Sequence, residues 1–103
     1  MTIRFDAARL WDSLHEMAKI GARDGGGVNR LTFTEADSAA RATLRAWAEA
    51  AGCTLALDRL GSMYLTYAGT DNALPPVAVG SHLDTVPTGG KYDGVLGVLG
   101  ALE

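Results

Sequence analysis

The side chains able to do chemistry gather in one stretch of this 103-residue chain, 77–94, which reads VAVGSHLDTVPTGGKYDG. His82 and Asp84 are two apart, and in extended backbone alternate side chains share a side, so both project one way while Ser81 and Leu83 project the other. A carboxylate so placed can accept an imidazole N–H. That bond fixes the tautomer, orients the ring and raises the basicity of the second nitrogen, as a metal-binding histidine requires. Pro87, Gly89 and Gly90 then permit sharp turns, and Asp93 arrives eleven positions after His82, a return long enough to set both side chains around one centre. An imidazole with a hard carboxylate suits zinc, manganese or a related divalent ion. A purely structural histidine at a strand end would read the same way, and spacing alone leaves both readings open.

The elements that must position these groups are legible on either side. Val77, Ala78 and Val79, introduced by Pro75-Pro76 and closed by Gly80, read as a strand buried on both faces. After Asp93, Gly94, Gly97 and Gly100 recur every third residue in GVLGVLGALE. On a helix they form a narrow stripe for close backbone approach, with Val95, Leu96, Val98 and Leu99 filling the core; the order is not that of a dinucleotide fingerprint. Glu103 reads as a helix residue facing away from the site, not as a base.

Upstream, Leu10, Leu14 and Met17 give 6–20 a helical period, with Asp6 as N-cap and Gly21 as the stop. Trp11 and His15 share a face of that helix and read as a partly buried aromatic edge beside a solvated histidine. Gly25-Gly26-Gly27 make 24–31 irregular, and the lysine and hydroxyl of a phosphate loop are absent; Asn29 and Arg30 receive no assigned role. Thr34 with Asp37 predicts a capping box, opening a helix to about Ala51 that buries Ala40, Leu44, Trp47 and Ala51 and ends at Gly52. Cys53 reads as a small buried hydrophobe, with no cationic cluster to activate it. Segments 54–58 and 63–67 alternate in polarity around a turn at 59–62, predicting an antiparallel pair that the strand at Val77 would join. Together these elements predict an α/β fold of two or three layers.

Composition sets the outer bounds. At 48% hydrophobic and 20% charged the chain reads as one small globular domain. A net charge of −3 without a basic run provides no electrostatic footprint for nucleic acid or an anionic membrane. The single Cys53 cannot form an internal disulfide, no apolar run reaches the length of a membrane span, and Arg4, Asp6 and Arg9 stand where a signal peptide would be apolar. A cytoplasmic protein is the expectation.

The segment GSHLDTVPTGGKYDGVLGVLGALE resembles the metal-binding segment of the amidase branch (hydantoinase/carbamoylase) of the zinc aminopeptidase-like superfamily. That branch includes N-carbamoyl-L-amino-acid hydrolases, beta-ureidopropionase and allantoate amidohydrolase. The likeness runs from about Leu14 to Glu103 and is strongest after Val77. Related peptidases share the H-x-D step but insert a longer segment before the second aspartate, so the short GGKYDG return is similar to the amidases. The resemblance implies that His82 binds one metal, Asp93 bridges two, and Asp84 orients His82. It implies two divalent metal ions, zinc ahead of manganese, cobalt or nickel, and the N-terminal portion of a phosphorylase/hydrolase-like three-layer α/β/α catalytic domain with a mixed sheet. It further implies a homodimer acting on a small ureido or amide molecule. In the family a glutamate and two histidines complete the ligands, a further glutamate is the general base, and all lie later in the chain; residues 1–103 are thus expected to be the first part of the catalytic domain and inactive alone.

The activity so implied is hydrolysis of a non-peptide C–N bond in an N-carbamoyl amino acid, ureido acid or allantoate-like substrate by metal-activated water. The alternatives are a peptidase or aminoacylase of the same superfamily, and a non-catalytic fragment. A Ser81-His82-Asp84 triad is disfavoured, because Ser81 and His82 point to opposite sides of an extended segment.

Overall fold

The computed structural model describes residues 2–103 and contains, in order, α1 (Ala7–Ala18), α2 (Glu35–Ala50), β1 (Thr54–Leu57), β2 (Met63–Thr66) and α3 (Val95–Leu102). The α/β class expected from the pattern is present. Helix α1 starts where the Asp6 carboxylate accepts the Arg9 backbone N–H. It turns Leu14, Met17 and Ala18 inward. Helix α2 starts at Thr34, whose hydroxyl accepts the Asp37 N–H at 3.4 Å. The reciprocal half of the expected capping box is shifted by one residue: the Asp37 carboxylate takes the N–H of Phe33 at 3.0 Å, not that of Thr34. Phe33 sits at φ 63, a left-handed conformation that a phenylalanine adopts at a cost, and this bond helps to hold it there.

Leu14 and Met17 of α1, Ala40 and Leu44 of α2, and Val95 and Leu99 of α3 meet in one core, and Leu83 enters it from the loop before α3. Trp47, Met63 and Leu65 pack at its margin. Ala51 and Leu96, expected inside, are exposed. The buried stripe of α3 is too narrow for Leu96, which turns outward while Val95 and Leu99, four apart, face in. Across the molecule, the side chain of Glu103 accepts the Arg9 Nε–H at 2.9 Å, the Asp6 N–H at 2.7 Å and a second guanidinium N–H of Arg9. This clasp joins the start of α1 to the end of α3.

The hairpin forms as predicted, with Thr54 opposite Thr66 and Leu57 opposite Met63. Its turn is organised by Asp58, whose carboxylate accepts the N–H groups of Leu60 and Ser62, both at 2.9 Å. Those bonds hold the Asp58 carboxyl below the usual carboxylate range. The sheet among the described residues is this two-stranded antiparallel ladder. The buried strand expected at Val77 is not formed: Val77 is 95% and Val79 71% exposed, and neither enters a ladder. A strand exists only through a neighbour's hydrogen bonds, and 77–79 pairs with none of the described strands. No described helix is long and apolar enough to cross a membrane.

Two outcomes follow from this packing. Leu44→Ala is expected to cost about 2–5 kcal/mol in chemical denaturation, because it empties a closed part of the core. Arg9, by hydrogen bond, holds the Glu103 carboxyl below the usual range. A carboxyl with a lowered folded-state pKa stabilises above its unfolded value, about 4.3, and loses that contribution as pH falls through the folded value. The melting-temperature gap between wild type and Glu103→Gln is therefore expected to be present at pH 7 and to narrow as pH falls below about 4.3.

Candidate metal centre

The segment 81–85 runs in extended form between α3 and residues 28–30. Leu83 is buried in the core, while His82 and Asp84 flank it on the other side, as alternation requires. His82, Asp84 and Asp93 line a single cleft with Leu31, Thr32 and Pro87. All three residues singled out for the site thus border the same cleft.

His82 Nδ1 lies 2.9 Å from the backbone carbonyl oxygen of Asp84 and 3.3 Å from its carboxylate Oδ1. A carbonyl only accepts, so Nδ1 must carry the hydrogen and donate it. Nε2 is then the basic nitrogen, its lone pair available to a cation. The orienting partner is first the main chain of Asp84 and only then its side chain, whereas the sequence reading gave the bond to the carboxylate. The Thr85 N–H of the same peptide is held by the Arg30 carbonyl at 2.7 Å, so its carbonyl end faces the ring two residues earlier.

Gly94 forms the floor beneath the imidazole. Its φ is 76, and a Cβ there would stand 2.4 Å from His82 Cε1 and 2.5 Å from Nδ1. Only glycine combines that conformation with that approach. Gly94 also precedes α3, so one residue sets both the start of the helix and the height of the ring.

Behind the loop lies the segment that sequence reading left unassigned. Val28 is fully buried and exchanges two backbone hydrogen bonds with Gly89, each 2.9 Å. Arg30 is 1% exposed. Its Nε donates to the Leu83 carbonyl at 2.9 Å, and its Nη1 to the carbonyls of Met17 and Ile20 at 3.1 and 2.6 Å. Burial lowers its pKa, against which the charges of Asp37 and Asp84 act. Asp93 is approached from the other side. The hydroxyl of its neighbour Tyr92 donates to His15 Nε2 at 3.0 Å, His15 Nδ1 donates to the Trp11 carbonyl at 2.8 Å, and the Trp11 and Tyr92 rings stack at 6.1 Å. His15 is therefore a link between α1 and the return loop and not the solvated histidine expected. The four-residue spacing of Trp11 and His15 was the visible signal; their partner 77 positions beyond His15 was not.

Among the described residues no three His, Cys, Asp or Glu side chains converge as a complete ligand set. What is present fits part of one: an imidazole with a fixed tautomer over a floor that admits no Cβ, and a carboxylate on the same cleft.

Fold and sequence place this chain in homology with the hydantoinase/carbamoylase amidases. It matches such an amidase from Burkholderia vietnamiensis at 52% identity and a TM-score of 0.95 over 99% of the chain, and one from Burkholderia multivorans at 50% and 0.95 over 98%, in each case 25% of that structure. Among curated relatives, it is 57% identical over 97% of its length to an N-carbamoyl-L-amino-acid amidohydrolase of Rhizobium meliloti, covering 24% of that protein. It is 36% identical over 99% to a ureidoglycolate hydrolase of Arabidopsis thaliana, and 35% identical over 90% to an allantoate amidohydrolase of Bacillus subtilis, covering 21% and 23% of them. The chain thus spans about a quarter of the length of the relatives it matches. No protein-family model matches it.

Gly94→Ala is expected to destabilise the protein by at least about 1–2 kcal/mol from the backbone conformation alone, and to displace His82. Denaturation curves with histidine NMR signals check both; an unmoved His82 signal would contradict the second.

Proposed function

We propose that this chain is part of the catalytic domain of a metal-dependent amidohydrolase that cleaves a non-peptide C–N bond of an N-carbamoyl amino acid, ureido acid or allantoate-like substrate. One observation carries the reading: His82, with Nδ1 committed and Nε2 free, shares a cleft with Asp93 inside a segment homologous to amidohydrolases of those names. His82 would hold one ion and Asp93 would bridge it to a second; bound divalent ions, zinc ahead of manganese, cobalt or nickel, supply Lewis-acid polarisation and water activation. The chain's own residues prepare that chemistry. Asp84 orients the imidazole through its carbonyl, and its carboxylate at 3.3 Å adds negative charge beside Nδ1, which makes Nε2 a stronger donor. Gly94 and Leu83 hold the ring and its carrier strand in place. The remaining ligands and the general base lie outside these residues, so residues 1–103 alone are inactive. A homodimer working on a small molecule in the cytoplasm belongs to the same proposal, with no nucleic-acid or membrane partner.

In the full-length protein, His82→Ala and Asp93→Ala are each expected to abolish turnover of an N-carbamoyl amino acid and to reduce bound metal, measured by elemental analysis. Full activity and metal content in either variant would overturn the assignment. Faster cleavage of dipeptides than of N-carbamoyl amino acids by the wild type would move the enzyme to the peptidases.

A further inference from the structure

The structure assigns Arg30 the role of a positioning residue for the His82 side of the proposed metal centre, an inference that rests on the metal reading of His82. Arg30 grips two consecutive peptide planes, one on each side of Asp84. Its side-chain Nε–H holds the carbonyl of the Leu83–Asp84 peptide at 2.9 Å. Its main-chain carbonyl accepts the Thr85 N–H of the Asp84–Thr85 peptide at 2.7 Å. All peptides here are trans, so the C=O and N–H of that second plane point in opposite directions. With its N–H turned to Arg30, the plane presents the Asp84 carbonyl to His82 Nδ1. The ring's tautomer is thus set through a peptide whose orientation Arg30 fixes.

The grip is itself anchored. The Arg30 N–H donates to the Thr85 hydroxyl at 2.7 Å, and Nη1 is held by two carbonyls, that of Met17 in the last turn of α1 and that of Ile20 just beyond it. The Met17 carbonyl belongs to the C-terminus of α1, where the macrodipole favours a cation. A guanidinium has the planar fork to serve these carbonyls and Leu83 at once; an ammonium, a single point with three donors on a different stem, does not. Simple filling of the core would ask for an apolar side chain at this depth. An arginine that spends its N–H groups on Leu83 and the end of α1 is explained by the need to orient the peptide beside the ligand.

The test uses the full-length protein and three variants: Arg30→Lys, Leu44→Ala and His82→Ala. Zinc affinity is measured with zinc alone by chelator competition, and the His82 tautomer of the metal-free protein by long-range 15N–1H NMR. Arg30→Lys is expected to keep its far-UV circular dichroism, to bind zinc about 10- to 100-fold more weakly, and to lose the predominance of the Nδ1–H tautomer. Leu44→Ala, destabilised through the core alone, is expected to keep wild-type values of both. Wild-type affinity and tautomer in Arg30→Lys, or an equal loss in Leu44→Ala, would overturn the inference. If Arg30→Lys does not fold, Thr85→Val, which withdraws the hydroxyl that receives the Arg30 N–H, replaces it with the same expectation and the same contrary result. Unaltered zinc binding by His82→Ala would instead remove the metal reading, and the tautomer would still decide whether Arg30 orients the ring.

Discussion

A guanidinium taken out of water must give its N–H groups to something, and in this protein that requirement ties the structure together. Arg30 is buried without a carboxylate in contact and is satisfied by carbonyls from α1 and from the loop that carries His82. Leaving a charge so placed without partners costs several kcal/mol, so those carbonyls cannot wander independently. One side chain thereby makes the end of α1, the 28–30 segment and the His82 loop a single rigid unit. Hydrogen bonds to a charged donor are each worth about 1.5–3 kcal/mol, more than neutral ones, which suits them to fixing a backbone that has no ladder of its own.

Around that unit the site is built from backbone as much as from side chains. His82 is oriented by a carbonyl, floored by Gly94 and carried by a strand-like segment whose Leu83 is the anchor in the core. Asp93 is reached by a loop tied at Gly89 to Val28 and at Tyr92 to His15. Each tie comes from a different part of the chain, so the donor pair is positioned by tertiary contacts from 28–30, α1 and the start of α3. In the proposed metal centre, a carboxylate and an imidazole held this way would need little reorganisation to receive a cation.

Sequence alone determined a good deal. The helix starts at Asp6 and Thr34 and the hairpin of β1 and β2 rest on caps, periodicity and turn residues within a few positions, and local hydrogen bonding decides them whatever the rest does. The alternation that puts His82 and Asp84 on one side, away from Leu83, is likewise a property of extended backbone. The resemblance carried by the short GGKYDG return pointed to the amidases for a reason of spacing that local sequence contains.

Only the tertiary structure decided what depended on distant partners. Val77–79 has the composition of a buried strand, yet strand formation is a relation between segments, and the run is exposed and pairs with no described strand. Arg30, Val28 and His15 carried no legible role, because their partners lie 53, 61 and 77 positions away and no local pattern encodes a contact at that range. Even the His82 bond, two residues long, went to the Asp84 carbonyl ahead of the carboxylate, since the direction of a peptide plane is set by what holds its other face. Residue types named the chemistry available to this chain; packing chose which atoms face one another.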